Sequence, residues 1–497
     1  MTALTAHGVF ASLQHRQCNT KQLPKVLMLG SEAAPYAKSG GLADVLGALP
    51  VALAQRGVET AVLLPRYASI PRDRLRRVYE NFPIALGSDV YRGEIYLQEQ
   101  RGVRFLFLDI PALYDRRGIY FEDGQDYPDN FLRFAALNVA GCEAIRRLFR
   151  ADILHCHDWQ AGLAPYYLRK RYGVDPTFTQ VKSVFTAHNL AFQGIFGREI
   201  LPRIGLKDTA FTSGELEFYG KISYLKTGIA FADAVTTVSP TYAKEIQTPA
   251  AGWGLDGLLR GRSEQLHGIL NGADYAVWNP ATDPFIAAPY DATKPEGKTA
   301  CREDLLRTVG LDPEALKNTP VIGIVARLSS QKGFDLIAPV ADEFMAENLA
   351  LVVLGSGEAR YEELFRSLAG RYPGRAAFRA GYDESLSHKI EAGADLYLMP
   401  SQYEPCGLNQ IYSLRYGTVP IVRAVGGLED SVTGETGFKF AGYNSGEMLM
   451  AVREAVKAFE NKRTWKKRMV AGMKQDFSWA ASADHMLELY QSLIANP

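Results

Sequence analysis

Twice along this chain of 497 residues, short apolar runs of strand length alternate with stretches of helical periodicity. That rhythm constrains the fold more than any other feature. Parallel strands need a crossover between them, and a helix is the usual one. In the first half Lys25–Gly30 reads as an opening strand and Gly41–Arg56 as the helix after it. Glu59–Leu64, Asp152–His155, Val181–Thr186 and Ala234–Ser239 read as further strands, and a hairpin turning near Gln100–Gly102 lies between Tyr91 and Ile110. The rhythm restarts at Val321–Ala326 and continues through Ala350–Leu354, Asp395–Met399 and Val419–Val422. Asn279–Pro295, rich in Pro, Asp and Thr and without clean periodicity, reads as the linker region. The length exceeds what one hydrophobic core supports. The expectation is α/β with two doubly wound domains, 25–278 and 279–476, preceded by a flexible extension over 1–24. A terminal segment, 477–497, has Trp479, Ala483, Met486, Leu487, Tyr490 and Leu493 at helical spacing and presents one apolar face.

Charge and cysteine content narrow the function classes. Lys plus Arg equals Asp plus Glu at 55 each, so no basic surplus points to nucleic acid. No apolar run approaches the ~20 residues that span a bilayer. Five scattered cysteines, with no C-x-x-C pair, fit a reducing compartment better than a disulfide framework or a zinc site. The first 24 residues lack Asp and Glu and carry only Arg16 and Lys21 as cations, too few for a typical transit peptide. A cytoplasmic protein is expected, with a plastid address left open.

An internal echo joins the halves: Gly40-Gly41-Leu42-Ala43-Asp44 and Gly426-Gly427-Leu428-Glu429-Asp430. Each copy opens a probable helix, where paired glycines permit close backbone approach and leave N–H groups for an anion. Arg327 and Lys332 follow a predicted strand closely and suit a leaving diphosphate, one as a planar fork and the other as a point charge; their ordinary alternative is a solvated surface. Glu404 follows the strand ending at Met399-Pro400-Ser401, where α/β sheets bind ligands; its ordinary alternative is a helix N-terminal acid.

These residues sit in a set of ordered motifs. Lys38-Ser39-Gly40-Gly41-Leu42 resembles the K-x-G-G-L signature of bacterial glycogen synthases and plant starch synthases, the family-5 glycosyltransferases. His157-Asp158-Trp159-Gln160-Ala161-Gly162-Leu163 resembles H-D-W-x-A-G-L, and Thr186-Ala187-His188-Asn189-Leu190 resembles T-x-H-N-L. Arg327 with Gln331-Lys332-Gly333, and Glu404-Pro405-Cys406-Gly407-Leu408, match R-x-x-x-Q-K-G and E-P-C-G-L. Asn271-Gly272 and Tyr416-Gly417-Thr418 complete a resemblance running from about Lys25 to the C-terminus. Ala250-Ala251 and Ala273 depart from the usual pattern, and the first pair bears on acceptor contacts.

The resemblance implies the GT-B fold, two Rossmann-like domains facing a cleft, with the terminal helix crossing back to the first. It implies retaining transfer of glucose from ADP-glucose, the donor of the bacterial and plastid branch, to the non-reducing end of an α-1,4-glucan. No cofactor and no metal are expected; the partners are the nucleotide sugar and the glucan, without nucleic acid or membrane. The carried-over catalytic set is His188, Arg327, Lys332 and Glu404. From the first half, Lys38, Gly40, Gly41, Asp44, Asp158, Trp159, Asn189 and Asn271 are expected to bind substrate. From the second, Tyr382, Cys406, Gly407, Leu408 and Thr418 join them. For Trp159 a packed indole fits the residue type as well as a sugar contact, and Cys406 lacks a neighbouring base for thiol catalysis. Two other readings stay open, another GT-B nucleotide-sugar enzyme and a non-catalytic glucan-binding homologue.

Overall fold

A computed structural model describes residues 23–495. The first domain carries a nine-stranded sheet. Its strands are β1 (Lys25–Leu29), β2 (Glu59–Pro65), β3 (Arg76–Leu86), β4 (Asp89–Gln100), β5 (Val103–Asp109), β6 (Ile153–His157), β7 (Lys182–Ala187), β8 (Ala234–Thr237) and β9 (Leu266–Gly268). They lie in the order β9-β8-β7-β6-β1-β2-β5-β4-β3. From β9 to β5 every pairing is parallel. The expected hairpin is present as antiparallel β4 and β5, and β3, which the sequence reading missed, extends the edge antiparallel to β4. β3 alternates irregularly and is exposed over much of its length, so it lacks the apolar run that marks a central strand.

The second domain carries six parallel strands, β10 (Val321–Val325), β11 (Ala350–Gly355), β12 (Ala376–Ala380), β13 (Leu396–Met399), β14 (Val419–Arg423) and β15 (Phe438–Phe440), in the order β12-β11-β10-β13-β14-β15. The interior strands β10, β11, β13 and β14 are almost wholly buried Val, Ile and Leu, as sheets covered on both faces require. β12 and β15, at the two edges, are short and partly polar, which kept them below the threshold of the sequence reading.

The residues 279–295 are no free tether. The Trp278 ring is sandwiched between His388 and Tyr412, with centroids 3.9 and 4.2 Å away. Asp283 binds His388 Nδ1 at 2.7 Å and the Tyr416 hydroxyl at 2.5 Å. The chain therefore enters the second domain firmly seated. Helix Trp479–Ala495 returns to the first: Trp479, Ala483, Met486, Leu489 and Tyr490 belong to its core. Arg56 pairs with Asp484, and the Tyr490 hydroxyl reaches His155 Nδ1 at 2.6 Å. Among the described residues no helix is long and apolar enough to cross a membrane.

Candidate active site between the two sheets

Strand order fixes where a ligand fits. In the first sheet the chain runs from β1 outward to β2 on one side and later to β6 on the other. In the second it runs from β10 to β11 on one side and later to β13 on the other. Each reversal opens a crevice at the carboxyl ends of the central strands. Gly30-Ser31-Glu32 and Asp158 follow β1 and β6; Ala326-Arg327 and Pro400-Ser401 follow β10 and β13.

On the second side, Lys332 Nζ lies 2.5 Å from Glu404 Oε2, and the Ser401 hydroxyl donates to the same oxygen at 3.1 Å. Both charged side chains are largely out of water, at 20% and 8% exposure. Arg327 is exposed; its carbonyl accepts from Ser329 N–H at 2.9 Å, while its guanidinium makes no hydrogen bond or ion pair with any described residue. A cavity of about 200 Å³ lies between Val325, Arg327, Lys332, Met399, Ser401 and Asn409. After Glu404 the backbone turns at Gly407 (φ +70°), where a Cβ would come within 2.4 Å of Gln410 Oε1. Gly426 and Gly427 press on this loop; a Cβ there would meet Glu404 O and Cys406 O at 2.0 Å. Cys406 is buried, and burial pushes its thiol up to about 12, so it stays protonated at neutral pH.

On the first side, the Gly40-Gly41 loop stands open, with nothing within 4 Å of an added Cβ. Lys38 Nζ pairs with Asp44 at 2.7 Å. The loop is held from beneath by Glu32, which sequence reasoning passed over. Its carboxylate accepts from Ser39 N–H, from the Ser39 hydroxyl at 2.7 Å, from Gly40 N–H at 3.1 Å and from the Tyr120 hydroxyl. An acid three residues past β1, ahead of a glycine loop, was the available signal.

Three imidazoles and one carboxyl crowd the end of β6. His155 bonds Thr186 Oγ1 at 2.6 Å, and its ring centroid lies 4.0 Å from that of His157. His157 Nδ1 meets His188 Nε2 at 3.0 Å. Burial depresses all three, His155 to about 3 and His188 to about 4, and mutual repulsion adds to the effect on His155 and His157. They are neutral at physiological pH. Asp158 adopts φ +56° and ψ −177°, a combination nearly confined to glycine. Its carboxylate accepts His188 N–H at 2.7 Å, and burial raises it to about 7.

The two sides touch through several expected residues. The Tyr403 hydroxyl, raised by burial, lies near the Asn189 side chain and in the fields of Glu404 and Arg327. Cys406 meets the Asn271 backbone. Tyr382 is largely exposed, and its hydroxyl feels the charges of Glu384, Lys38 and Asp44. Leu408 immediately precedes helix Asn409–Arg415.

Two expectations are corrected. Thr418 precedes β14, at the amino end of that strand and away from the crevice. Its hydroxyl is consumed by Lys298 Nζ at 2.7 Å and by the Glu391 and Ala394 carbonyls, so it fastens the core beneath the sheet. The paired-glycine echo also differs between copies. Gly426 N–H binds Glu245 Oε1 at 3.0 Å and Gly427 N–H binds backbone carbonyls, so the second pair serves close packing. Trp159, for its part, is packed among Phe134, Phe196 and Tyr224, with centroids 5.0 to 6.4 Å away.

Two doubly wound domains with opposed switch points form the GT-B architecture of nucleotide-sugar glycosyltransferases. A model of the starch synthase catalytic domain matches residues 25–261, and one of glycosyl transferases group 1 matches 312–469. Glycogen synthase of Koribacter versatilis (strain Ellin345) is 47% identical over 475 residues, covering 94% of this chain and 97% of that one. Glycogen synthase of Anaeromyxobacter dehalogenans (strain 2CP-C) is 46% identical over 478 residues, covering 94% and 99%. The catalytic domain of Starch Synthase IV from Arabidopsis thaliana, bound to ADP and acarbose, superposes with a TM-score of 0.85 at 31% identity, covering 96% of this chain and all of that one. Sucrose-phosphate synthase from Thermosynechococcus elongatus, at TM-score 0.60 and 18% identity, shares the fold. The chain belongs to the glycogen synthase and starch synthase family of glycosyltransferases.

Proposed function

We propose that this protein is a retaining glucosyltransferase that moves glucose from ADP-glucose to the non-reducing end of an α-1,4-glucan in the cytoplasm. The observation that carries the reading is the cluster at the second switch point. Arg327, whose guanidinium makes no hydrogen bond or ion pair with the described residues, and Lys332, paired with Glu404, border one cavity. In transfer the bond from glucose C1 to the diphosphate oxygen breaks, the acceptor O4 bonds C1 on the same face, and the O4 proton leaves with the departing phosphate oxygen. Negative charge grows on the diphosphate, where the Lys332 ammonium, held by Glu404, and the Arg327 guanidinium stabilise it. Glu404 is held to accept hydroxyls of the moving sugar while its charge balances Lys332. His188, neutral near pH 7, offers its carbonyl and ring to the sugar without adding a repelling charge to a cationic transition state. Asp158 and the strained turn beneath it fix that histidine. Closure of the domains excludes the water that would otherwise hydrolyse the donor.

The test is glucose incorporation into a glycogen primer by purified protein with ADP-glucose and UDP-glucose in parallel. A higher catalytic efficiency with ADP-glucose is expected. Preference for UDP-glucose refutes the donor assignment, and incorporation with neither donor refutes the activity.

A further inference from the structure

Two exposed aromatic residues on the first domain, Tyr219 and Trp253, occupy backbone conformations that aromatic residues avoid. Strands Glu217–Phe218 and Lys221–Ser223 pair antiparallel, which leaves Tyr219-Gly220 as a two-residue loop. Both loop residues have positive φ, 48° and 75°. That turn is filled at least cost by Asn-Gly or Asp-Gly, yet this chain places a tyrosine there and leaves it 79% exposed. Trp253-Gly254 repeats the arrangement, with φ of 52° and 81° and the indole 50% exposed.

The two turns abut. A Cβ on Gly254 would lie 3.0 Å from Tyr219 Cε2 and 3.2 Å from Phe218 Cζ, so the tyrosine ring covers that glycine. The Trp253 carbonyl accepts from Gln193 Nε2 at 3.0 Å, which ties the second turn to the segment leading from His188. The indole centroid stands 6.3 Å from the Tyr403 ring, inclined at 69°. Tyr403 directly precedes Glu404 and lies near Asn189. A line of rings therefore runs from Tyr219 through Trp253 to the cluster of Lys332 and Glu404.

Tyr219 stays largely exposed and Trp253 half exposed, while each sits on an unfavourable backbone, so the little burial they gain does not by itself account for aromatic rings at these turns. We infer that Tyr219 and Trp253 form a stacking platform for the acceptor, an α-1,4-glucan chain, and favour long acceptors over short ones. Glucose rings carry hydroxyls on their rims and C–H groups on their faces. An aromatic face covers those C–H groups while the rim stays hydrated. A short acceptor ends beside Tyr403, whereas a longer one extends back over both rings. The inference rests on the transfer reading above.

The variants Tyr219→Asn, Trp253→Asn and the double substitution test it, because asparagine suits a left-handed turn and removes the ring. Melting temperatures equal to or above that of the parent are expected, with an unchanged donor KM. The KM for maltoheptaose should rise on the order of tenfold in the double variant, with a much smaller change for maltose. Migration through a glycogen-containing native gel, retarded for the parent, should become faster. An unchanged KM for maltoheptaose overturns the platform. So does an equal loss with both acceptors, which marks a general disturbance of the site. If the parent transfers no glucose from either donor, the activity reading fails, and the gel still decides the platform: retardation equal in parent and double variant refutes it.

Discussion

Lys332→Met separates the two duties the structure gives one ammonium. Nζ lies 2.5 Å from Glu404 Oε2, with only 20% and 8% of the two side chains exposed. As a pair the ions add little to stability, since their attraction is offset by the loss of hydration on both. Breaking the pair is different, because the carboxylate stays out of water without its cation, at a cost of ~3–5 kcal/mol for a fully buried pair. The partial exposure of Lys332, and the Ser401 hydroxyl still 3.1 Å from Glu404 Oε2, place the expected loss at the lower end, ~3 kcal/mol. For a domain of this size that lowers Tm by ~6–12 °C. Lys332→Met with Glu404→Gln removes both charges and should recover most of that loss, while transfer stays abolished. Arg327→Ala should leave Tm within ~1–2 °C of the parent, as for a surface residue without partners, yet slow turnover by ~10²–10³. Because both cations face one diphosphate, the losses in turnover of Arg327→Ala and Lys332→Met should fall short of additive. The assay is calorimetry alongside turnover at saturating donor. Near-normal turnover in Lys332→Met, or a large Tm loss in Arg327→Ala, would refute the division of roles.

Truncation before Trp479 removes the buried Trp479, Met486, Leu489 and Tyr490, worth ~1.5–3 kcal/mol each; an unchanged melting temperature would show that the helix does not dock. Gly427→Ala places a Cβ 2.0 Å from the Cys406 carbonyl and should lose activity and stability together, whereas Gly41→Ala, in open space, should keep its melting temperature; equal behaviour of the two contradicts the assigned difference. The three histidines titrate lower when folded, so the unfolded chain binds more protons below ~6.5 and stability falls as pH drops from there toward about 4. Asp158 and Glu391, raised by burial to about 7 and about 8, act in the opposite sense. Relative to the parent, His157→Gln should therefore flatten the acid loss by ~1.4 kcal/mol per pH unit, and Asp158→Asn should steepen it. Urea midpoints between pH 7 and 4.5 check both signs, and parallel curves for all three proteins rule the linkage out.

The sequence by itself determined the strands that lie at the centre of each sheet, because a strand covered on both faces must be a run of buried Val, Ile and Leu. It also placed the glycine loop, the histidine motif and the Arg327, Lys332 and Glu404 cluster at strand ends, since those motifs interrupt the rhythm where a parallel sheet turns into its next helix. The edge strands β3, β9, β12 and β15 escaped because a strand half in water has no such signature. Which side chains meet was decided by the tertiary structure alone. Lys332 and Glu404 stand 72 positions apart, and only the adjacency of β10 and β13 brings them into contact. The near-identical pentapeptides at Gly40 and Gly426 part company for the same reason: one faces the open cleft above Glu32, and the other is pressed against the loop after Glu404. Thr418 belongs to a genuine motif yet lies at the amino end of its strand. Local pattern reports the conformation a segment prefers, whereas the environment of a side chain is set by strands and helices that arrive from elsewhere in the chain.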